Sequence, residues 1–364
     1  MINVTKSYLP DKEKYQGYVD KIYDNCWLTN NGPIAQELEK RLREYLGVKH
    51  ILLVSNGTVA LQIAYRVLGL TGEVITTPFS FVATTSTLVW EGLKPRFADI
   101  NKETLCLDPN NITEKINPNT SAILPVHVFG NACDIDKIQA IAKENNLKVV
   151  YDAAHTFDVS YKGKSILNYG DASTLSFHST KLFHTIEGGA IIFNSEEHYN
   201  KAKKIINFGL SGPEDIEFLG INCKMNEFQA AMGLCVLDDL QKIKNGRKRA
   251  YDWYIENLQH MKTLEFQKGN EESTQNYAYF PVIFQSEEVL LKVKSELNNN
   301  GINPRRYFYP SLDTLNYLKH REYMPVSNDI SKRILCLPMY DSLREEDITR
   351  ICNIIKGVIS HNSI

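Results

Sequence analysis

Short apolar runs alternate with helical patterns through the first half of the chain, and this alternation restricts the fold more than any other feature. The runs with the length of buried strands lie at 51–54, 74–77, 96–99, 122–126 and 148–152, and the helical patterns lie at 33–45, 59–67, 82–90 and 135–145. Apolar strands that alternate with helices form mainly parallel sheets covered on both faces. The sequence therefore predicts an α/β fold with a large, mostly parallel sheet covered by helices.

The last third of the chain has a different pattern. One helical pattern covers about 227–258, and a strand at 277–284 and a helix at 287–298 follow it. A chain of 364 residues is long enough for one large domain and one smaller domain. We therefore predict an N-terminal arm and large domain over 1–240 and a smaller α/β domain over 241–364.

The composition argues against several classes of protein. The net charge is −2, and the apolar and charged fractions of 43% and 23% are those of an ordinary globular protein. This balance predicts neither a nucleic-acid surface nor a membrane surface, and no apolar run has the length of a membrane span. The seven cysteines are scattered without a CxxC pair, so we expect neither disulfides nor a metal site. Because the N-terminus also lacks the apolar core of a signal peptide, we expect a cytoplasmic protein.

One lysine stands between two apolar strands. The strand that ends at Phe177 leads into a polar turn that contains Lys181, and Gly188 and Gly189 precede the next apolar run at 190–193. Lysine is rarely enclosed without a partner or a chemical purpose, because its ammonium group is costly to desolvate. A Schiff base with a carbonyl compound such as pyridoxal phosphate is such a purpose. The alternative is a structural lysine at a strand end, with its amine in water.

Other polar residues follow other strands of the predicted sheet. The segment 55–58 separates a strand from a helix, which is where free backbone N–H groups bind phosphate, although an ordinary helix cap is the alternative. Asp152 ends an apolar strand, and a buried carboxylate needs a partner such as a pyridinium N–H or the start of the next helix. Because ligands gather beyond the carboxyl ends of parallel strands, we expect these residues to share one site with Phe81, His127 and Lys181.

These motifs together resemble a known family. In chain order, the sequence contains Asn56-Gly-Thr-Val-Ala-Leu, Asp152-Ala-Ala-His, Ser176-Phe-His-Ser-Thr-Lys and Glu187-Gly-Gly. This combination is similar to that of the DegT/DnrJ/EryC1/StrS nucleotide-sugar aminotransferases, which are fold type I pyridoxal-phosphate enzymes. The resemblance covers essentially the whole chain. Within the family it is greatest to the transaminases that convert dTDP-4-keto-6-deoxyglucose to dTDP-4-amino-4,6-dideoxyglucose (viosamine).

The resemblance implies roles for individual residues. Lys181 would bind pyridoxal 5′-phosphate covalently and move the proton during catalysis. Asp152 would pair with the pyridine nitrogen, His155 would lie near the phenolic oxygen of the ring, and Phe81 would stack on the ring face. The residues implied to hold the phosphate are Gly57, Thr58, Ser176 and, from the neighbouring subunit of a homodimer, Asn222. Since a histidine replaces this lysine in members of the family that catalyse dehydration, Lys181 favours amino transfer.

The implied reaction transfers the amino group of L-glutamate to a dTDP-linked keto sugar, in the biosynthesis of surface glycans such as the O-antigen of lipopolysaccharide. The nucleotide would lie outside the cofactor pocket, against loops. Arginine and tyrosine suit contacts with pyrophosphate and base. The candidate contacts are Thr29, Asn30, Lys224 and, from the run Arg305-Arg306-Tyr307-Phe308-Tyr309, Arg306 and Tyr309.

Other functions stay open from the sequence. C3 amination of a dTDP-3-keto-6-deoxy sugar and amination of a UDP-linked keto sugar are alternatives, because loops of unknown geometry form the pocket walls that select a sugar carbon. A regulator that binds pyridoxal phosphate without turnover is an alternative from another class. It would require a DNA-binding segment, and no basic helix-turn-helix is apparent before Trp27. The sequence assigns no role to His184, three residues after Lys181.

Overall fold

The computed structural model describes residues 1–319 and 321–361. Its strands are β1 (Ile2–Asn3), β2 (His50–Val54), β3 (Glu73–Thr76), β4 (Lys94–Phe97), β5 (Thr120–Leu124), β6 (Lys148–Asp152), β7 (Ser160–Tyr161), β8 (Lys164–Ser165), β9 (Ala172–Ser176), β10 (Gly189–Phe193), β11 (Leu264–Phe266), β12 (Phe280–Phe284), β13 (Ile302–Asn303) and β14 (Ile334–Leu337). Its α-helices are α1 (Lys12–Asn25), α2 (Pro33–Leu46), α3 (Gly57–Leu68), α4 (Ala83–Trp90), α5 (Ile135–Glu144), α6 (Glu196–Ile205), α7 (Glu227–Asp238), α8 (Leu240–Leu258), α9 (Glu287–Asn299), α10 (Pro325–Arg333) and α11 (Glu345–His361). None of the helices in these ranges is long and apolar enough to cross a membrane.

Seven strands form the central sheet, in the order β2-β10-β9-β6-β5-β3-β4. From β9 to β4 all neighbours are parallel, whereas β10 is antiparallel to both β9 and β2. Successive residues of one strand, such as Leu52 and Leu53, belong to separate apolar cores on opposite faces of the sheet. The predicted large, mostly parallel sheet covered by helices is therefore confirmed, and β10 is its antiparallel exception.

The predicted single helix over about 227–258 is wrong. The helix is interrupted at Asp239, so that α7 ends at Asp238 and α8 begins at Leu240. The carboxylate of Asp239 accepts a hydrogen bond of 3.0 Å from the hydroxyl of Tyr8, a residue far away in sequence. Neither glycine nor proline marks this break, so the sequence pattern continues across it.

A smaller antiparallel sheet, in the order β11-β12-β14, forms the C-terminal part together with α9 and α11. Helix α8 connects it to the large sheet. Ile243, near the beginning of α8, packs in the core of the large sheet, whereas Ala250 and Tyr254 pack in the C-terminal core. The domain boundary near residue 240 stays a prediction, and the helix that begins there packs in both cores.

The N-terminal arm reaches both parts of the molecule, and its helix α1 was not predicted. Strand β1 pairs with β13 in the C-terminal part, and the N–H of Met339 donates to the carbonyl of Val4 at 2.9 Å. Tyr8 then contacts the large domain, where its carbonyl oxygen lies 2.8 Å from Nε2 of His184. The other ring nitrogen of His184 accepts the N–H of Ile186 at 3.3 Å, so Nε2 carries the proton. His184 therefore joins the arm to the turn that contains Lys181.

Candidate active site

A cleft of about 390 Å³ lies beyond the carboxyl ends of β6 and β9. This is the edge of a parallel sheet at which ligands usually bind, as the sequence predicts. The predicted site residues that line the cleft are Gly57, Thr58, Phe81, Asp152, His155, Ser176 and Lys181. His127 is not among them, because it is fully buried and its Nδ1 accepts the N–H of Cys133.

The turn before α3 forms one end of the cleft. Asn56 caps this helix, since its side-chain oxygen accepts the N–H of Val59 at 2.9 Å. Gly57 begins the helix so close to the end of β9 that a Cβ atom on it would lie 2.9 Å from Cβ of Ser176. A Cβ on Gly189 would lie 2.6 Å from the carbonyl carbon of Asn56. Both glycines thus allow the helix N-terminus to approach β9 and β10, where its free N–H groups and the Ser176 hydroxyl can hold an anion.

Asp152 ends β6 with its carboxylate buried in the cleft floor. One carboxylate oxygen accepts the hydroxyl of Thr84 at 2.8 Å, and the other accepts the N–H of Ala154 at 3.2 Å. Burial raises the pKa of Asp152, while these two hydrogen bonds and the charge of Lys181 oppose that shift. Among the described residues no cation forms an ion pair with Asp152, so this buried carboxylate is suited to a cationic N–H supplied from the cleft.

His155 lies against the same part of the cleft as a neutral imidazole. Its Nδ1 accepts the N–H of Phe129 at 3.1 Å, which leaves Nε2 as the protonated nitrogen. Burial lowers the pKa of His155 well below its usual value, and the charge of Lys181 lowers it further. The ring lies between aromatic side chains, with centroid distances of 4.7 Å to Tyr279 and 5.9 Å to Phe308. His155 is therefore held as a hydrogen-bond donor.

Lys181 extends from the turn between β9 and β10 into the cleft. Its Nζ lies 3.2 Å from the hydroxyl oxygen of Tyr279, which comes from the C-terminal part of the chain. Burial lowers the pKa of Lys181 to about 8, and the attraction of Asp152 only partly opposes this shift. A substantial fraction of the amine is therefore neutral near physiological pH, and a neutral amine is the nucleophilic form of lysine.

Phe81 presents its ring to the cleft with half of its surface exposed. An exposed aromatic face beside a buried carboxylate and a lysine can stack on a planar heterocycle. The structure thus brings Phe81, Asp152 and Lys181 to one cleft, as expected from the sequence motifs.

Four of the predicted contacts lie away from this cleft. Asn30 and Lys224 line a separate, smaller cleft of about 170 Å³, in which Nζ of Lys224 donates to the side-chain oxygen of Asn207 at 2.7 Å. Asn222 is exposed in the same segment and pairs with Asn207 through the backbone. Thr29 lies in the neighbouring turn, where its carbonyl accepts the indole N–H of Trp27. Within one chain, these residues do not meet Lys181.

In the run 305–309, Arg306 and Tyr309 were selected from the sequence as nucleotide contacts, but neither is among the residues that line the cleft. Arg306 turns away from it and pairs with the carboxylate of Glu287 at 2.7 Å, with its guanidinium 3.6 Å from the centre of the Tyr309 ring. Arg305 and Tyr307 line the cleft instead, and the Arg305 guanidinium lies 4.7 Å from the centre of the Tyr307 ring.

Two further residues were missed by sequence reasoning. Tyr279 contacts both Lys181 and His155, and Thr84 holds Asp152. Tyr279 lies within the predicted strand at 277–284, where nothing distinguishes it from its aromatic neighbours Tyr277 and Phe280. Thr84 was placed in a helix, and only the structure reveals that its hydroxyl reaches the carboxylate of Asp152 at the end of β6.

Comparison with known proteins agrees with this geometry. Residues 10–356 match the model of the DegT/DnrJ/EryC1/StrS aminotransferase family. The chain belongs to this family. A relative from Shigella dysenteriae, named dTDP-4-amino-4,6-dideoxy-D-glucose transaminase, is 43% identical over 98% of this chain and 99% of its own length. A relative of the same name from Escherichia coli is 38% identical over 98% of each chain.

A solved structure supports the same assignment. The fold resembles that of DesI, described in the presence of its TDP-sugar product, with a TM-score of 0.93, 30% identity and coverage of 98% of this chain and 92% of that one. The protein is therefore an aminotransferase of the DegT/DnrJ/EryC1/StrS family, and its cofactor is pyridoxal 5′-phosphate.

The residues of the cleft fit this cofactor. The helix N-terminus at Gly57 suits its phosphate, and Lys181 has a lowered pKa. None of the residues that the structure describes gives the buried carboxylate of Asp152 a paired cation. The Nε2–H of the neutral His155 is free to donate to an oxygen in the cleft. These are the groups that a pyridine ring with an aldehyde, a phenolic oxygen and a phosphate requires.

Proposed function

We propose that this enzyme transfers the amino group of L-glutamate to C4 of dTDP-4-keto-6-deoxyglucose and so forms dTDP-4-amino-4,6-dideoxyglucose. The observation that carries this proposal is the 43% identity, over nearly the full length of both chains, to a transaminase named for that product. The second relative has the same name, so C3 amination and a UDP-linked substrate are not favoured.

We assign the cofactor contacts as follows. The carboxylate of Asp152 pairs with the ring nitrogen, Nε2–H of His155 donates to the phenolic oxygen, and Phe81 stacks on the ring. The N–H groups at Gly57 and Thr58 and the hydroxyls of Thr58 and Ser176 hold the phosphate. Bound through Lys181, pyridoxal phosphate supplies an electron sink that stabilises negative charge on the substrate carbon.

Lys181 is the group that moves the proton in this proposal. Once the amine of L-glutamate has replaced Lys181 on the cofactor, Nζ of Lys181 would be a free amine. Because burial lowers the pKa of Lys181 to about 8, this Nζ would be partly neutral near physiological pH and able to remove the α-proton of L-glutamate. Tyr279, whose hydroxyl oxygen lies 3.2 Å from that Nζ, orients the amine during the transfer. The keto sugar then accepts the amino group in the same cleft, so the enzyme has ping-pong kinetics.

We also propose that the active form is a homodimer. Asn222 is predicted to bind the cofactor phosphate, and Thr29, Asn30 and Lys224 are predicted to bind the dTDP sugar, yet all four lie outside the Lys181 cleft of their own chain. The segment around Asn222 exposes large apolar side chains, namely Phe208, Ile216, Leu219 and Ile221. A second copy that covers this surface would bring its Asn222 to the cofactor phosphate and explain both features.

Subunit mixing tests the dimer. Lys181→Ala and Asn222→Asp should each inactivate the enzyme, but a mixed dimer keeps one cleft with both native residues. Mixing the two variants after mild denaturation should therefore restore about a quarter of the parent activity, given random pairing of subunits. If the mixture stays inactive although light scattering shows dimers, Asn222 does not act across the interface.

The setting of the enzyme follows from its proposed substrate. We propose that it is cytoplasmic and supplies an amino sugar for a surface glycan such as the O-antigen of lipopolysaccharide. The homologue names support the nucleotide-sugar part of this statement.

Absorbance spectroscopy of the purified protein tests the reaction. The enzyme should show a visible band that L-glutamate converts to the absorbance of the amino form, and dTDP-4-keto-6-deoxyglucose should restore the band. A dTDP-3-keto sugar and a UDP-4-keto sugar serve as controls. If one of these restores the band faster, the proposed acceptor is wrong, and a band that does not respond to glutamate would contradict the proposed donor.

A further inference from the structure

Arg305 lines the cleft, and none of the described carboxylates forms an ion pair with it. Its side chain is exposed and lines the same cleft as Lys181. Among the described residues, no other lysine or arginine lines this cleft. Its neighbour Arg306 pairs with Glu287, but no carboxylate of residues 1–319 or 321–361 forms an ion pair with Arg305. The cleft therefore presents a cation whose charge no described residue balances.

The position of Arg305 is well defined. Its backbone exchanges two hydrogen bonds with Cys336, of 3.1 and 2.8 Å, and its guanidinium lies over the Tyr307 ring. Burial raises the pKa of the hydroxyls of both Tyr279 and Tyr307, and the charge of Arg305 opposes this shift in each. Tyr279, whose hydroxyl oxygen lies 3.2 Å from Nζ of Lys181, and Tyr307 both line the cleft, so Arg305 and Lys181 share the same group of aromatic neighbours.

The chemistry of the two substrates decides which anion this cation meets. In L-glutamate a carboxylate is bonded directly to the carbon that gives up the amine, so it must lie beside Lys181. In a dTDP-4-keto sugar the diphosphate is on C1, across the sugar ring from the reacting C4, and lies away from Lys181. A guanidinium also matches a carboxylate through two parallel hydrogen bonds.

We propose that Arg305 binds the carboxylate of the amino donor and thereby selects an amino acid in the first half-reaction. This inference rests on the proposed function and adds a residue that separates the two substrates. The keto sugar has no carboxylate, so the second half-reaction does not need this contact.

The test measures the two half-reactions separately in Arg305→Gln. Single-turnover absorbance with L-glutamate gives the first rate, and enzyme loaded with pyridoxamine phosphate and mixed with the keto sugar gives the second. Loss of the paired hydrogen bonds should lower the second-order rate constant with glutamate by on the order of 100-fold. The rate constant with the sugar should change by less than about threefold, since no contact to it is removed.

Two further variants sharpen the result. Arg305→Lys keeps the charge without the fork of donors, so it should recover part of the glutamate rate. Arg249→Gln makes the same change on the exposed face of α8 and should leave both half-reactions at the parent rates. Calorimetric titration of the pyridoxal-phosphate form with 2-oxoglutarate, an α-keto acid that has no amino group to give to that form, provides a readout that does not depend on turnover, and its Kd should rise by a similar factor in Arg305→Gln.

Three outcomes would overturn the proposal. A loss confined to the sugar half-reaction would make Arg305 a pyrophosphate contact, and equal losses in both half-reactions would make it structural. If neither rate changes, the Arg305 side chain binds neither substrate. A parent enzyme that reacts with glutamate but not with the dTDP sugar would refute the proposed acceptor alone, because the glutamate arm still tests Arg305.

Discussion

Replacing Lys181 by methionine should stabilise the cofactor-free protein, because folding moves an ammonium group into a cleft that favours the neutral amine. Burial lowers the pKa of Lys181 from 10.5 to about 8. Each pKa unit corresponds to about 1.4 kcal/mol, so the free energy of unfolding of the variant at pH 7 should exceed that of the parent by about 2–3 kcal/mol, allowing for the partial exposure of the side chain. Methionine has a similar length and carries no charge.

The sign of the pH dependence follows from proton binding. Between pH 8 and 10.5 the folded parent loses the proton of Lys181 while the unfolded chain retains it, so the parent gains up to about 1.4 kcal/mol of stability per pH unit. The advantage of Lys181→Met should therefore be full below pH 8 and should largely disappear by pH 10.5. Other titrating groups are common to both proteins and cancel in the difference.

Urea unfolding of the two cofactor-free proteins, followed by circular dichroism at pH 7, 8, 9 and 10, measures this difference. The same substitution at the exposed Lys332 serves as the control for removing a lysine that folding does not bury. A Lys181→Met protein that is less stable than the parent at pH 7, or a gap that is constant from pH 7 to 10, would refute the argument that burial penalises this ammonium.

Three further substitutions test other parts of the site. Gly57→Ala should raise the Kd for pyridoxal phosphate by about 10-fold or more, because a Cβ at this position lies 2.9 Å from Cβ of Ser176 and forces α3 away from β9. A fluorescence titration measures this Kd, and Gly17→Ala, which has open space around it, should leave it unchanged. Asp152→Asn should keep the fold and bind the cofactor, yet lower the transamination rate by on the order of 100-fold, since a neutral amide does not hold a protonated ring nitrogen; a rate within threefold of the parent would contradict its role. Arg306→Ala should lower the free energy of unfolding by about 1–3 kcal/mol through loss of its carboxylate partner without raising the KM for either substrate, whereas a higher KM for the sugar would support the prediction from sequence.

The positions of the cleft residues from the large domain could be predicted because each lies in a short motif near the end of a strand. Asp152 follows β6, and Gly57 follows the turn after β2, so an alternating strand and helix pattern is enough to bring them to one edge of the sheet. Asp152 and Gly57 come close together because β6 and β2 belong to the same sheet, and the apolar pattern of each strand is visible in the sequence.

The groups from the C-terminal part could not be predicted in the same way. Tyr279 reaches Lys181 only because α8 packs on both cores, and this packing joins residues about a hundred positions apart. Arg305 and Arg306 are adjacent, and in an extended segment neighbouring side chains point in opposite directions. Only the pairing of Arg305 with Cys336 decides which of the two faces the cleft.

The pairing of β1 with β13 has a consequence for the order in which the chain folds. The partner of Ile2 in this pairing, Ile302, is synthesised 300 positions later. Strand β2 must likewise wait for β10 before it can join the sheet, whereas β3 to β6 are made in close succession. Nascent chains should therefore carry an unpaired N-terminal segment through most of synthesis, a state in which long-range pairing is slow and exposed apolar surface invites chaperone binding.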